Sequence, residues 1–254
     1  MQMNFTQYID FRRFFRKASF VVFVLFIIFA PCMANANVRV EEEVGKLLVK
    51  EFDPESLLVQ ATNGGSFLYA KAKGVVLEGL RIDSISVFAM MKEPPKDLTG
   101  KDAYGLADLI YLSRAEVVLL KKDVDDYTTT AIEDVKGFTD LKVDFSTDKL
   151  SVSGTYTAKF LFTFNIRLLA KSRLGFINGD LSLVDTEFYI SGVRQPEYLT
   201  NKLLEEINPL IKRSKIPFPI NINNIIMTKD KIVVTGKPKP LEGDALCTWR
   251  YAKD

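Results

Sequence analysis

The sequence has no histidine, two cysteines and a single tryptophan in 254 residues, and each scarcity removes a class of chemistry. Without histidine there is no Ser-His-Asp or Cys-His constellation, no His-ligated zinc or haem iron, and no side chain that ordinarily titrates near neutrality. Two cysteines, Cys32 and Cys247, are too few for a zinc site and stand at opposite ends of the chain. Neither G-x-S-x-G nor a phosphate-cradling glycine loop occurs. Acidic residues are spread along the whole chain, and no pair is set apart by spacing or by apolar surroundings, so a glycosidase-like pair of carboxylates cannot be selected. No cofactor and no metal site is expected. Asp123-Val124-Asp125-Asp126 lacks the glycine and distal glutamate of a calcium loop and reads more simply as a helix start, Asp123 capping a helix that runs toward Val135.

What is present is a composition suited to folding, 47% hydrophobic and 26% charged, preceded by an address. Arg12, Arg13, Arg16 and Lys17 are followed by an apolar run from Ala18 to Ala30 and by Ala34-Asn35-Ala36, the pattern of an export signal cleaved near Ala36. A retained N-terminal anchor is the alternative, disfavoured because the run is short of the ~20 residues of a spanning helix. The paired arginines leave both the general secretory and the twin-arginine routes open. Removing residues 1–36 takes away four basic residues and Asp10. That leaves 30 basic against 31 acidic residues, and the formal charge moves from +2 to −1. Such a balance gives no cationic excess for nucleic acid. With Cys247 as the remaining thiol, an internal disulfide is impossible and the core must hold the fold.

Along the remaining 218 residues, Val40, Val44, Leu47, Leu48 and Phe52 recur at helical spacing, and Asp53-Pro54 stops the helix. Asn63-Gly64-Gly65 marks a turn. Ser66 to Gly74 and Val75 to Met91 read as strands, Lys96 to Gly105 as a polar excursion, and Leu109 to Leu120 as a return to β-rich sequence. From Phe138 to Ile190 nearly everything alternates. Leu141, Val143 and Phe145 form one stripe, and Phe160, Phe162, Phe164, Ile166 and Leu168 form a longer one. Turns at Ser146-Thr147-Asp148 and Asn178-Gly179 join consecutive strands into an antiparallel meander. Gln195 to Lys212 reads as an amphipathic helix with Leu199, Leu203 and Ile207 on its apolar face, kinked or ended at Asn208-Pro209. A closing hairpin of Ile220–Met227 and Lys231–Gly236 follows, and 239–254 reads as an irregular tail.

The stripes allow two readings, the buried face of a helix-covered sheet or the lining of a greasy groove. Lys212, Arg213 and Lys215, beside Ile216-Pro217-Phe218-Pro219, suit either phosphate head groups or a helix C-terminus.

The order of these elements, with "LTNKLLEEINP" at Leu199 to Pro209, then "IPFPINI" and "DKIVVTG", resembles the LmeA family of phospholipid-binding proteins across most of residues 38–236. The resemblance implies an α+β fold in which a long, highly curved antiparallel β-meander wraps around amphipathic helices, similar to tubular lipid-binding (TULIP) modules, with residues 37–238 as the lipid-binding domain. It also implies a noncatalytic role in the periplasm or cell envelope, phospholipid or another acyl lipid as ligand, and transient contact with a membrane surface. The groove would draw on Leu141, Val143, Phe145, Phe160, Phe162, Phe164, Ile166, Leu199, Leu203 and Ile207, with Lys212, Arg213 and Lys215 near the head group. An envelope scaffold with a fully internal core and a histidine-independent hydrolase stand as alternatives.

Overall fold

The structure, a computed structural model, describes residues 39–62, 64–77, 79–93, 109–131, 138–159, 163–210, 212–213, 220–243 and 245–253. The expected export signal, the 96–105 excursion and Lys215 lie outside the described residues. The described chain divides into two compact units, one built from Lys121–Arg213 with Met227–Lys231, the other from the described parts of 39–120, 220–226 and 232–253. Both are α+β with mainly antiparallel open sheets.

In the second of these units, α1 (Val40–Phe52) carries Glu41, Glu42 and Glu43 in its first turn and Lys50 in its last, as the helix dipole favours. Val44, Leu48 and Phe52 are buried, the stripe expected from their spacing. The helix stops where proline requires: Asp53 takes the left-handed conformation (φ 41°) and its N–H donates to the Val49 carbonyl.

Strands β1 (Ser56–Thr62), β2 (Phe67–Leu77), β3 (Leu80–Met91) and β4 (Ile110–Leu120) then follow. The break between β2 and β3 falls at Gly79 rather than at Gly74. Gly74 stays within β2 at φ 64°, where a Cβ would lie 2.0 Å from the Glu55 carboxyl carbon, and Glu55 is itself held by Arg81 at 2.9 Å. In β3 four consecutive residues, Ser84 to Val87, are buried, so both faces of the strand are covered there.

The C-terminal segment departs from its sequence reading in two places. Ile220 to Met227 is not one strand: β10 (Ile220–Asn221) pairs parallel with β4, and β11 (Asn224–Met227) lies beside β12 (Lys231–Thr235). The tail read as irregular contains β13 (Leu246–Ala252), which pairs antiparallel with β1 over its whole length. Pro238, Pro240 and Gly243 precede β13 and do not interrupt it, and the unclaimed edge of β1 supplies the partner. The sheet order is β11-β12-β4-β3-β2-β1-β13, with β10 on β4. Trp249 of β13 rests on α1 at Gly45, where any Cβ would meet the indole at 2.0 Å.

In the other unit, α2 (Lys121–Ala131) starts two residues before the expected cap. Asp123 lies in its first turn instead, because the Lys121 N–H is satisfied by the Asp230 carbonyl. Strands β5 (Phe138–Ser146), β6 (Lys149–Lys159), β7 (Thr163–Ile177), β8 (Asp180–Ile190) and β9 (Val193–Arg194) pair in chain order. This is the meander the turns announced. Asn178 and Gly179 both have positive φ, 54° and 86°, as a two-residue hairpin of twisted strands requires. Helix α3 (Glu197–Ile207) is shorter than 195–212. Pro196 precedes it, and Asn208, just before Pro209, is already extended (φ −81°, ψ 147°).

Candidate functional site

Directly opposed residues of an antiparallel ladder share a face, so the register of the five-stranded sheet sorts its side chains. Val143 opposes Val152, which opposes Ala170, and Phe145 opposes Leu150. Tyr156 opposes Ile166, Gly154 opposes Leu168, and β8 adds Phe188 and Ile190. All belong to one apolar face. Leu141 joins it over Gly154, its Cδ1 3.4 Å from where a glycine Cβ would stand.

The opposite face is largely polar and paired within itself. Lys142 meets Asp144 at 3.1 Å, Arg173 meets Asp185 at 3.1 Å, and Arg194 meets Glu187 at 3.2 Å. Tyr189 donates its phenol hydrogen to Glu187 at 3.0 Å, and that hydrogen bond is the main reason its pKa is raised, with burial and the Glu187 charge adding to it. Lys171 sits 5.5 Å from the centre of the Tyr189 ring. The Lys121 ammonium contacts both Asp125 and Asp144, so these carboxylates belong to a structural ion network.

Burial along the apolar face is graded. Val143, Phe145, Leu150 and Leu168 are buried. Leu141, Val152, Tyr156, Ile166, Ala170, Phe188 and Ile190 are only half-buried, and Phe164 is 54% exposed. Helix α2 packs against β5 and α3 against β8, at the two flanks of the sheet. On α3, Leu199, Leu203 and Ile207 are half-buried, and Thr200 is the buried residue. A helix used only to close a core would bury its leucines more fully than its threonine.

Of the ten residues expected to line a groove, Leu141, Val143, Phe145, Phe164 and Ile166 share the sheet face, and Leu199, Leu203 and Ile207 lie on α3 of the same unit. Phe160 and Phe162 lie outside the described residues. Lys212 and Arg213 are exposed. Sequence reasoning missed the contributions of β6 and β8, Val152, Tyr156, Phe188 and Ile190. The β6 residues had a usable signal: the turn at Thr147-Asp148 sets Ser146 opposite Lys149, and counting back places Val152 opposite Val143.

The side chain of Asn208 has a structural part that the helix-end reading did not include. Its amide donates to the Leu183 carbonyl and accepts from the Leu183 N–H, both at 2.8 Å, closing the outer edge of β8 as a strand would.

The other unit has a small apolar cavity of ≈ 20 Å³ bounded by Leu48, Phe52, Leu57, Val75 and Val87. That is room for about one water, although the walls offer it no polar partner. Among the described residues no group of three or more Cys, Asp or Glu side chains is placed to hold a metal, and no helix is long and apolar enough to cross a membrane.

These features define a mixed α+β protein with one half-covered apolar sheet face. Comparison of the chain with protein-family models, curated proteins and solved structures found no match.

Proposed function

We propose that the protein is an exported, noncatalytic lipid-binding protein of the bacterial cell envelope that holds acyl chains against the apolar face of β5 to β8, with α3 as one wall. The observation that carries this reading is the graded burial of that face. Buried Val143, Phe145 and Leu168 anchor it, while Tyr156, Ile166, Phe188 and Ile190 are partly exposed and Phe164 is 54% exposed. A contiguous apolar surface that is not fully covered is the usual mark of an interaction site. The residues offer apolar contact and few directed polar groups, which suits acyl chains better than a polar substrate.

The likeness of the 199–236 segments to the LmeA family supports phospholipid as the ligand and a TULIP-like arrangement, a curved meander wrapped around helices. Lipid transfer or envelope maintenance would be its use. Selection by head group would be weak and electrostatic, through exposed cations such as Lys212 and Arg213.

The test is mass spectrometry of organic extracts from the purified protein, paired with uptake of a fluorescent phospholipid. Stoichiometric phospholipid in the extract and saturable uptake are expected. Extracts repeatedly free of lipid, together with no uptake, refute the reading.

A further inference from the structure

The hairpin joining β7 to β8 outruns its sheet. The last β6 residue in the ladder is Leu150, opposite Ser172, so Arg173–Ile177 are paired with β8 alone. Five residues at roughly 3.4 Å each carry a two-stranded ribbon about 17 Å past its neighbour.

The ribbon is covered along β8, where Leu181, Ser182 and Leu183 are buried, but the last two residues of β7 are not. Phe176 and Ile177, the last two residues before the Asn178-Gly179 turn, are 36% and 48% exposed. Being adjacent in a strand, they point to opposite faces, so apolar surface is offered on both sides of the tip. Two exposed cations are fastened beside them. The Arg213 N–H donates to the Asp180 carboxylate at 2.8 Å, and Arg213 Cδ lies 3.0 Å from where a Gly179 Cβ would stand, so Lys212 and Arg213 are held at the turn. Across the ribbon and this segment, Arg173, Lys212 and Arg213 outnumber Asp180 and Asp185 by one. One Asp180 oxygen is already engaged by the backbone.

The partner that fits is a surface rather than a protein. A stable protein interface buries upwards of about 1,000 Å², which a two-stranded tip with two exposed apolar residues cannot offer. A bilayer makes no such demand. Each apolar residue enters the boundary between head groups and acyl chains separately, and each nearby cation meets anionic phosphate.

We propose that the β7–β8 tip, through Phe176, Ile177, Lys212 and Arg213, docks the protein on bilayers containing anionic phospholipid. The proposal rests on the lipid-binding reading above, to which it adds the place where the membrane is met.

The test is sedimentation of the protein with vesicles of phosphatidylcholine alone and of equal parts phosphatidylcholine and phosphatidylglycerol. It compares wild type, the Phe176→Ser/Ile177→Ser double variant and the Lys212→Glu/Arg213→Glu double variant. Uptake of a soluble short-chain fluorescent phosphatidylcholine, presented without bilayers, is measured beside it. Wild type is expected to favour the mixed vesicles, and each double variant to partition about tenfold less onto them. Uptake of the soluble probe should be unchanged in the Phe176→Ser/Ile177→Ser variant. Any signal from a retained N-terminus is common to all three proteins and cancels in the comparison. If the first variant misfolds by circular dichroism, the second, altered only at exposed positions, carries the test. Wild-type failure to bind mixed vesicles, or variants that sediment like wild type, overturns the proposal. Tip-dependent sedimentation without probe uptake supports the tip and refutes the groove, which keeps the two readings separable.

Discussion

Replacing Phe164 by serine separates a groove from an ordinary core. Phe164 is 54% exposed, so its covered remainder is worth about 0.7–1.4 kcal/mol to folding and its loss should change stability by about that much. Full burial of a phenylalanine is worth about 1.5–3 kcal/mol, and an acyl chain lying over the face would cover the remaining half or so, about 0.8–1.6 kcal/mol. The Phe164→Ser variant should therefore bind a fluorescent phospholipid about four- to fifteenfold more weakly while melting at nearly the wild-type temperature. Val143, 7% exposed, provides the contrast. Val143→Ser removes core packing and should lower the melting temperature along with binding. The assay is a fluorescence titration at fixed protein concentration, run beside thermal unfolding followed by circular dichroism. If wild type binds the probe and Phe164→Ser binds it equally well, the acyl chain does not lie on this face.

Two further substitutions test how the frame is held. Gly45→Ala should gain about 1 kcal/mol in helix propensity yet destabilise the protein overall by about 1–3 kcal/mol, because the new methyl overlaps the Trp249 ring. Trp249 is the only tryptophan, so emission reports the site directly: a red shift with earlier unfolding is expected, and unchanged emission with a higher melting temperature would contradict the packing described. Asn208→Ala strips the Leu183 N–H and carbonyl of their partners at the β8 edge. A loss of about 1–3 kcal/mol in denaturant unfolding is expected, and a curve matching wild type would show that water replaces the amide without penalty.

The meander was legible because its turns are local. Asn178-Gly179 sets Ile177 opposite Asp180, and the first four residues on either side follow by counting. Counting then fails at a bulge. Asp185, at φ 51°, inserts one extra residue into β8, so Ala170 opposes Phe188 where an unbroken ladder would give Glu187. A single residue thus exchanges a carboxylate for a phenyl ring on the apolar face, and nothing in the alternation of Val184 to Ile190 announces it. Asp140, at φ 55°, does the same in β5: Thr139 opposes Thr155 where an unbroken ladder would give Tyr156. Strand β13 was illegible for a different reason. Its partner β1 lies nearly two hundred positions earlier, and pairing at that distance leaves no periodic trace beyond alternation in seven residues. The helix ends, by contrast, followed from proline at Pro54 and Pro209, because the residue before proline leaves the α-region whatever surrounds it.

The absence of histidine bears finally on how a bound lipid would be held and released. No side chain in the chain ordinarily changes charge near neutrality. Among the described residues, the groups displaced from their usual pKa are Lys46, Tyr189 and Lys253. All three move upward, and in each a hydrogen bond to a carboxylate is the largest cause, from Glu42, Glu187 and Asp53 respectively. A raised lysine stays charged at pH 7 and a raised tyrosine stays neutral, so the stabilisation these bonds give is present below the unfolded pKa and is lost only as alkaline pH rises through the folded one. Nothing in this set switches between pH 5 and 8. If acyl chains bind as proposed, retention on the apolar face would be governed by contact area, and release by arrival at a bilayer that offers the same chain an equally apolar alternative. Such binding would need an accessible apolar face backed by a polar one, and the two faces of the β5–β8 sheet divide along that line.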